Sequence, residues 1–184
     1  MKELVLGGAR SGKSAFAERR ARASGQTVVC VVTATAGDEE MLQRITAHRA
    51  RRPADWTVVE ESWALASTLE HLATARTCLL VDCLTLWLSN LLFPGAMPRA
   101  ARRVSDDFEH ERAALLSCLP QLPGQVILVA NEVGLGIVPL GAETRRFCDE
   151  AGRLNQELAQ CCDHVTLMAA GLPLTLKHKT PGVA

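Results

Sequence analysis

A run of eight residues near the start of the chain has the composition of a phosphate-binding loop. Residues 7–14 read Gly-Gly-Ala-Arg-Ser-Gly-Lys-Ser, the pattern G-x-x-x-x-G-K-S, between an apolar strand and a predicted helix that reaches about residue 23. Glycines let successive backbone N–H groups turn toward phosphate oxygens, and the start of the helix adds positive potential. Lys13 can then reach the outer phosphates and Ser14 can ligate Mg²⁺. The sequence therefore predicts a nucleoside triphosphate site in preference to a purely structural glycine turn.

Polar residues follow two further apolar strands. Asp82 ends the run Cys-Leu-Leu-Val-Asp of residues 78–82, where enzymes with such a loop often carry the carboxylate for their metal. Asp82 could instead cap the following helix, and the two roles are compatible. Asn131 and Glu132 end another buried strand and precede a glycine-containing loop over residues 133–139, which allows a ligand to approach the backbone closely. A turn stabilised by Asn131 is the structural alternative for this pair.

A histidine occupies a predicted helix between the second and third strands. Asp38 can cap this helix, and Met41, Ile45 and His48 share one face through steps of four and three, which turns His48 toward the protein body. Nearby arginines disfavour imidazolium and favour a neutral, nucleophilic ring near pH 7, namely Arg44, Arg49, Arg51 and Arg52. Guanidinium groups also suit a triphosphate tail. Packing is the alternative role for His48, and a solvated helix end is the alternative for the arginines.

These residues are positioned by a single predicted α/β domain over residues 1–184. Short apolar runs predict strands at residues 2–6, 27–33, 57–59, 77–81, 125–130, 165–168 and 174–176. Apolar stripes predict helices around residues 65–72, 104–119 and 147–161. Several strands are continuously apolar, as strands covered on both faces are. We therefore expect a mostly parallel sheet with helices on both faces and the ligand at the first strand-to-helix turn.

Composition excludes several other classes of protein. The 20 Lys+Arg balance the 20 Asp+Glu, which argues against binding to nucleic acid or anionic membranes through bulk charge. The longest apolar run, residues 84–93, is shorter than the roughly 20 residues of a membrane span. The seven cysteines are odd in number and lie mostly in apolar runs, so buried free thiols fit better than disulfides or a metal site. We expect a cytoplasmic protein without a nucleic acid partner or membrane span.

Several segments together resemble the bifunctional adenosylcobinamide kinase/adenosylcobinamide-phosphate guanylyltransferase family of cobalamin biosynthesis. The matching segments follow the family order over nearly the whole chain: residues 7–14, 38–41 with Arg44, Ile45 and His48, Trp56 with Glu60, 81–92, 131–136 and 170–173. Many nucleotide enzymes share the glycine loop, whereas its combination with the histidine segment and the Asn-Glu-Val-Gly loop is specific. The resemblance implies a P-loop NTPase fold of the RecA-like type.

The resemblance also implies two reactions in one domain. The first phosphorylates adenosylcobinamide from a nucleoside triphosphate, and the second moves GMP from GTP through a histidine, matched here by His48, to the cobinamide phosphate. The implied nucleotide contacts are Gly7, Gly8, Ala9, Arg10, Ser11, Gly12, Lys13, Ser14, Val32, Thr33, Ala34, Arg49, Ala50, Arg51, Arg52, Glu60 and Asp82. One departure is that residues 30–34 read Cys-Val-Val-Thr-Ala, where the family usually has Tyr-Ile-Ala-Thr-Ala.

The chemistry assigns roles to the remaining candidates. Lys13, the arginines and Mg²⁺ on Ser14 and Asp82 would stabilise charge on the leaving phosphates. Glu132 or Asp82 could orient the acceptor hydroxyl, and the sequence does not choose between them. GTP and ATP are the expected substrates beside the corrinoid, and the resemblance implies a homo-oligomer, with a trimer as the expectation.

Two other functions compete with this interpretation. One is a small-molecule kinase that transfers only the γ-phosphoryl group and uses His48 structurally. The other is a nucleotide-dependent switch or assembly ATPase, although the guanine-reading N-K-x-D sequence is missing because Glu132, Val133 and Gly134 follow Asn131.

Overall fold

A seven-stranded sheet forms the centre of the computed structural model, which describes residues 1–34, 39, 43, 53–93 and 108–179. The strands within these residues are β1 (Lys2–Gly7), β2 (Thr27–Val32), β3 (Thr57–Glu60), β4 (Thr77–Asp82), β5 (Gln125–Asn131), β6 (His164–Ala169) and β7 (Leu172–His178). Their order across the sheet is β3-β2-β4-β5-β1-β6-β7. The first six are parallel, and β7 is antiparallel to β6. The predicted mostly parallel sheet is confirmed.

Five α-helices of the described residues surround this sheet. They are α1 (Lys13–Ala23), α2 (Leu65–Leu72), α3 (Leu84–Leu92), α4 (Phe108–Cys118) and α5 (Ala142–Cys161). A short 3₁₀ helix, Leu119–Gln121, continues α4. Pro120 accounts for that change, because proline has no N–H for the next helical hydrogen bond.

Two hydrophobic clusters show that helices cover both faces of the sheet. Val5, Cys30 and Ile127 pack with Ala17 and Ala21 of α1 on one face. The alternate strand residues Leu4, Val31, Leu79 and Leu128 pack on the other face with apolar residues of α2 to α5. Because strand side chains alternate between faces, continuous apolar runs are what this two-sided burial requires. Trp87, fully buried, donates its indole N–H to the Trp63 carbonyl at 2.8 Å.

The strand register places the carboxyl ends of the parallel strands at one edge. Gly7 at the end of β1 lies opposite Asn131 of β5 and Met168 of β6. Val32 of β2 lies opposite Glu60 of β3 and Asp82 of β4. The polar residues singled out from the sequence therefore lie along the same edge, where ligands bind in open α/β sheets.

The observed strands differ from the sequence prediction mainly at their ends. Gly7, Asp82 and Asn131 belong to their strands, because their backbones continue the sheet pairing beyond the apolar run. Strand β7 is longer than predicted because Pro173 and Lys177 also pair with β6, although neither fits the apolar pattern. The predicted loop over 94–98 and the start of the helix stripe at Val104 lie outside the described residues.

Two predictions from composition also bear on the fold. All seven cysteines are free thiols, and Cys30, Cys78, Cys83, Cys118 and Cys162 are buried. Within the described ranges no helix is long and apolar enough to cross a membrane.

Candidate active site

The loop between β1 and α1 has the geometry of a phosphate cradle. Arg10 and Gly12 have positive φ angles of 56° and 91°, so the chain reverses direction between β1 and the helix. The Ser11 N–H donates to the Gly8 carbonyl at 3.2 Å, and the Lys13 ammonium donates to the same oxygen at 3.1 Å. Helix α1 begins at Lys13, which leaves its first N–H groups beside the loop. An anion in the loop would meet backbone donors and a lysine together.

Two glycines of this loop leave little or no room for a side chain. A Cβ at Gly7 would be 2.7 Å from the Met168 carbonyl oxygen, and one at Gly12 would be 3.2 Å from the Gly171 Cα. These contacts show that the loop is packed against the β6–β7 hairpin.

The turn of that hairpin supports the loop directly. Ala170 and Gly171 have positive φ angles of 51° and 80°, the left-handed conformation of a tight two-residue hairpin. The Gly171 N–H donates to the Ser11 carbonyl at 3.0 Å. Sequence reasoning matched the Ala-Gly-Leu-Pro segment but did not predict this contact. The signal that could have found the turn is a glycine in a two-residue gap between two strand patterns.

Lys13 is a buried cation at this site. Lys13 is 9% exposed, and burial lowers the pKa of its ammonium group. The nearby Cys83 and Asp82 act to raise that pKa, with a smaller effect. The side chain is thus held in a poorly hydrated position beside Asp82, where electrostatic interactions with phosphate are stronger than in water.

The hydroxyl of Ser11 is a buried polar group without a hydrogen-bond partner among the described residues. Ser11 is 8% exposed and lies inside the loop of residues 7–14, called the phosphate loop below. A buried hydroxyl left unpaired has a free-energy cost. The loop therefore keeps one more polar group available than its own folding uses.

Asp82 closes β4 at the same edge and is half-buried. The residue in the N-cap position of α3 is Cys83, so the structure does not place Asp82 in the capping position considered from the sequence.

Val32 lies beside Asp82 in the sheet and is buried, Ala34 is half-buried, and Glu60 is exposed. Thr33 is fully buried, with its hydroxyl bonded to the backbone of Cys83.

The end of β5 joins the phosphate loop through its backbone. The Glu132 N–H donates to the Gly7 carbonyl at 3.0 Å, and the Asn131 N–H donates to the Thr85 hydroxyl at 2.6 Å. One carboxylate oxygen of Glu132 accepts the Gly134 N–H at 2.6 Å. Glu132 is therefore held next to the start of the loop, with its second oxygen not engaged in this turn.

A shallow pocket of about 160 Å³ opens next to Glu132, between the following loop and the first turns of α5. Its walls include Gly134, Gly136, Ile137, Pro139, Arg145 and Asp149. It continues the edge where the polar strand ends lie. The pocket is too small to hold a macrocycle by itself, so it could take at most a substituent of a large substrate.

The oxygen donors at this edge fit a small divalent cation. Ser14, half-buried in the first turn of α1, and Asp82 offer a hydroxyl and a carboxylate, the ligand types that Mg²⁺ takes beside phosphate oxygens and water. No group of three or more His, Cys, Asp or Glu residues that could hold a metal occurs in the part of the chain that the structure describes. Among the described residues, the donors at this edge are thus one hydroxyl and one carboxylate, which leaves further ligand positions to phosphate oxygens and water.

The structure thus brings together residues 7–14, Val32, Thr33, Ala34, Glu60, Asp82 and Glu132 at one edge of the sheet. The predicted nucleophile His48 and the predicted contacts Arg49, Ala50, Arg51 and Arg52 lie outside the described residues. Their roles, and the ligand contacts of the residues that are described, stay predictions.

Solved structures that resemble this chain share its fold. The ATPase EscN of the enteropathogenic Escherichia coli type III secretion system covers 92% of this chain and 43% of its own, with a TM-score of 0.55 and 12% identity. An ATP synthase subunit of Nanoarcheaum equitans covers 91% of this chain and 46% of its own, with a TM-score of 0.51 and 12% identity. At such low identities the likeness shows the fold alone, which is that of P-loop NTPases.

Sequence relatives match nearly the whole chain. The bifunctional adenosylcobalamin biosynthesis protein CobP of Pseudomonas aeruginosa is 56% identical over 177 residues, which cover 96% of this chain and 98% of the relative. The bifunctional adenosylcobalamin biosynthesis proteins CobU of Salmonella typhimurium and Escherichia coli are 39% and 36% identical, each covering 95% of this chain and 98% of its own. The model of one family matches residues 3–176. The chain therefore belongs to the CobU family, cobinamide kinase / cobinamide phosphate guanyltransferase.

Proposed function

We propose that this protein phosphorylates adenosylcobinamide from a nucleoside triphosphate and then attaches GMP from GTP to the product. The final products are adenosylcobinamide-GDP and pyrophosphate. The family match over residues 3–176 carries this proposal, and the loop, Lys13 and Asp82 at one sheet edge give it a physical basis. Because nucleoside triphosphates are substrates of both steps, we expect the enzyme to work in the cytoplasm.

The kinase step needs positioning and charge stabilisation more than covalent help from the protein. The aminopropanol hydroxyl oxygen bonds to the γ-phosphorus, and the bond from that phosphorus to the β–γ bridging oxygen breaks, releasing the nucleoside diphosphate. Backbone N–H groups of the loop and the Lys13 ammonium stabilise the charge that develops on the phosphate oxygens. The hydroxyl proton passes to a carboxylate at the same edge, Glu132 or Asp82.

Ser14 and Asp82 would hold Mg²⁺, with ATP or GTP as the phosphoryl donor. When bound, the ion supplies charge neutralisation on the phosphate oxygens. Lys13 lies near enough to Asp82 for the two charges to attract each other.

The guanylyl transfer requires a nucleophile, for which we propose His48. A ring nitrogen bonds to the α-phosphorus of GTP, and the bond from that phosphorus to the α–β bridging oxygen breaks, releasing pyrophosphate. A phosphate oxygen of cobinamide phosphate then bonds to the same phosphorus and releases the histidine. This sequence divides one difficult transfer into two. The arginines at positions 49, 51 and 52 would stabilise the departing pyrophosphate. Val32, Ala34 and Glu60 would line the nucleotide side of the edge, whereas the hydroxyl of Thr33 is bonded to Cys83.

A homo-oligomer is part of this proposal, with a trimer as the expected state. Two segments of the described residues expose large apolar side chains that a second copy could cover. Leu135, Ile137 and Leu140 in the loop after β5 are 84%, 98% and 98% exposed, and Leu172 and Leu174 on β7 are 71% and 56% exposed. Clusters of this kind often mark protein interfaces. Sedimentation velocity measures the state directly.

The test combines product analysis with protein labelling. Purified protein is incubated with adenosylcobinamide, GTP and Mg²⁺, and mass spectrometry should find adenosylcobinamide phosphate and adenosylcobinamide-GDP. In parallel, α-labelled GTP should leave label on the denatured protein that is lost in acid and stable in alkali, as expected of a phosphoramidate. His48→Ala should abolish both the label and GMP transfer while retaining kinase activity.

His71→Ala is the matched control, because His71 is an exposed histidine on α2 and should keep both activities and the label. Label that persists in His48→Ala, or that follows γ-labelled GTP instead, would contradict the proposed intermediate. Phosphorylated product without any GMP transfer in the unmutated protein would favour the kinase-only alternative.

A further inference from the structure

The ends of β2 and β4 are joined by three hydrogen bonds between Thr33 and the chain at Asp82 and Cys83. The Thr33 N–H donates to the Asp82 carbonyl at 3.3 Å. The Thr33 hydroxyl donates to the Cys83 carbonyl at 2.6 Å and accepts the Cys83 N–H at 3.1 Å. One residue therefore fixes the backbone on both sides of the point where Asp82 leaves the sheet.

These bonds engage the only hydrogen-bond donor of the Thr33 side chain. The residue is fully buried, and its single hydroxyl proton is already donated to Cys83. A hydroxyl has one proton to donate, so Thr33 has none left for a nucleotide phosphate. The side chain therefore acts on the protein backbone rather than on a ligand.

Asn90 holds Thr33 from the opposite side. Its amide nitrogen donates to the Thr33 carbonyl at 2.9 Å and to the Ser62 carbonyl at 3.2 Å. Asn90 belongs to α3, the helix that starts directly after Cys83. The end of β2, the end of β4 and the far turn of α3 thus form one closed network of hydrogen bonds, and a displacement of one member must break bonds of the others.

Asp82 immediately precedes the residue that this network holds. Lys13 lies close enough to both Asp82 and Cys83 for each to act on its charge, so the network borders the phosphate loop. Catalytic geometry is sensitive to shifts of about 1 Å, which can reduce rates on the order of 10²-fold. An anchor on Cys83 therefore sets where the carboxylate of Asp82 stands relative to a bound nucleotide.

We propose that Thr33 is a positioning residue, whose hydroxyl fixes the Cys83 backbone and thereby aims Asp82 at the metal of a bound metal–nucleotide complex. This inference rests on the proposed function for the role of Asp82. It adds a residue whose contribution is to the metal and not to nucleotide affinity.

Metal binding is the measurement that isolates this role. Mn²⁺ replaces Mg²⁺ as a probe, and its affinity for the protein complexed with a non-hydrolysable GTP analogue is followed by electron paramagnetic resonance. Affinity for the analogue alone is measured in the presence of EDTA. We expect Thr33→Val, which keeps the shape and removes the hydroxyl, to weaken Mn²⁺ binding about tenfold and to change analogue affinity in EDTA less than about twofold. Thr33→Ser, which restores the hydroxyl, should return Mn²⁺ affinity to near the original value.

Thr77→Val is the matched control. Thr77 is also buried, lies on the same strand as Asp82 at its opposite end, and its hydroxyl hydrogen-bonds to the Thr74 hydroxyl. This variant loses a comparable buried hydrogen bond far from the metal, so Mn²⁺ affinity should not change. Asp82→Asn should weaken Mn²⁺ binding more than Thr33→Val, and the double variant should resemble Asp82→Asn, because the two residues act as a unit.

Equal Mn²⁺ affinities in Thr33→Val and Thr77→Val would overturn the proposal. If Thr33→Val alone lost affinity for the analogue in EDTA, Thr33 would be a nucleotide contact, and the proposal would also be overturned. If Thr33→Val does not fold, Asn90→Ala provides the second measurement and should weaken Mn²⁺ binding in the same direction. A different result would contradict the proposed function. The protein would form no cobinamide products, although its Mn²⁺ binding would still depend on Asp82 and Thr33 as described above.

Discussion

At the amino-terminal edge of the sheet a buried lysine holds the protein together, whereas at the carboxyl-terminal edge a buried lysine faces the phosphate loop. Lys2 is 6% exposed and donates from its ammonium group to the Leu122 carbonyl at 2.6 Å. Lys13 is 9% exposed and donates to Gly8, within the loop that would receive a phosphate. Burial lowers the pKa of both ammonium groups, so the two lysines are electrostatically similar and differ in their partners.

The neighbours of the two lysines extend this contrast. Near Lys2, Asp163 pairs with Lys179 at 3.2 Å and Glu3 pairs with Arg20 at 3.0 Å, so charged groups are matched within the protein. Near Lys13, the Ser11 hydroxyl is buried without a partner among the described residues. The amide oxygens of Gln26 and Gln125, beside the starts of β2 and β5, are likewise buried without one. The two edges therefore differ in their charged groups, which are paired within the protein near Lys2, whereas Lys13 lies in the loop where a phosphate would bind.

The largest expected effect separates the two lysines. Lys13→Ala should lower both proposed activities on the order of 10²-fold or more, because it removes a charge that stabilises the phosphates in the transition state. Lys2→Ala should lower the free energy of unfolding while the rate per folded molecule stays within about twofold. Steady-state assays of both reactions, with urea denaturation of each variant, measure the two effects.

Near-normal activity in folded Lys13→Ala would remove the assignment of the loop as the phosphate site. A comparable loss of rate in folded Lys2→Ala would show that the two edges are not functionally distinct.

A smaller effect is expected from the hairpin turn behind the loop. Gly171→Ala introduces a side chain at φ 80° and Gly25→Ala introduces one at φ 67°, and in both cases no atom lies within 4 Å of the new Cβ. Both variants therefore carry a similar backbone cost of about 1 kcal/mol. Only Gly171 supports the phosphate loop through Ser11, so Gly171→Ala should weaken nucleotide binding several-fold, as measured by calorimetry.

Gly25→Ala serves as the control for left-handed strain and should bind nucleotide like the unmutated protein. An equal affinity in both variants would mean that the turn does not influence the loop.

The smallest effect concerns acid stability at the amino-terminal edge. The Lys2 backbone N–H at 2.8 Å, with help from Lys179, holds the pKa of the Asp163 carboxyl below its usual range. Because the folded-state pKa is lowered, the ionised carboxylate stabilises the folded protein at any pH above the unfolded-state pKa. This stabilisation is lost as the pH falls through the folded-state pKa. Asp163→Asn should therefore unfold more easily than the unmutated protein at pH 7, and the difference should shrink as the pH falls below about 4. Urea denaturation across that range measures it, and a difference that stays constant down to pH 3 would contradict the assigned pairing.

The sequence predicted the sheet well because the strands are buried on both faces. The apolar run before Asp82 marks its strand, and the glycine loop marks the turn after β1. The bonds from Gly171 to Ser11 and from Thr33 to Cys83 could not be predicted, because each joins residues far apart in the chain. The first links two backbone groups and the second links a hydroxyl to a backbone carbonyl, and neither pairing leaves a signal in the sequence. Glu132 was placed at the correct edge from its position after β5, whereas its bond to Gly134 depends on the local turn. The predicted nucleophilic role of His48 rests mainly on the family resemblance. The helical spacing and the neighbouring arginines indicate only a neutral ring turned toward the protein body, and His48 lies outside the described residues.

The position of β1 in the sheet has a consequence for the order in which the chain can fold as it is synthesised. Strand β1 is made first, yet it pairs on both sides with strands of the last third of the chain, β5 and β6. Strands β2, β3 and β4 can pair with one another much earlier. Because contacts between distant segments form slowly, β1 and its loop stay unpaired while the sheet contains only strands made earlier than β5. A nascent chain that ends before β6 would contain the complete Gly-Lys-Ser sequence and lack the neighbours that shape it into a phosphate site.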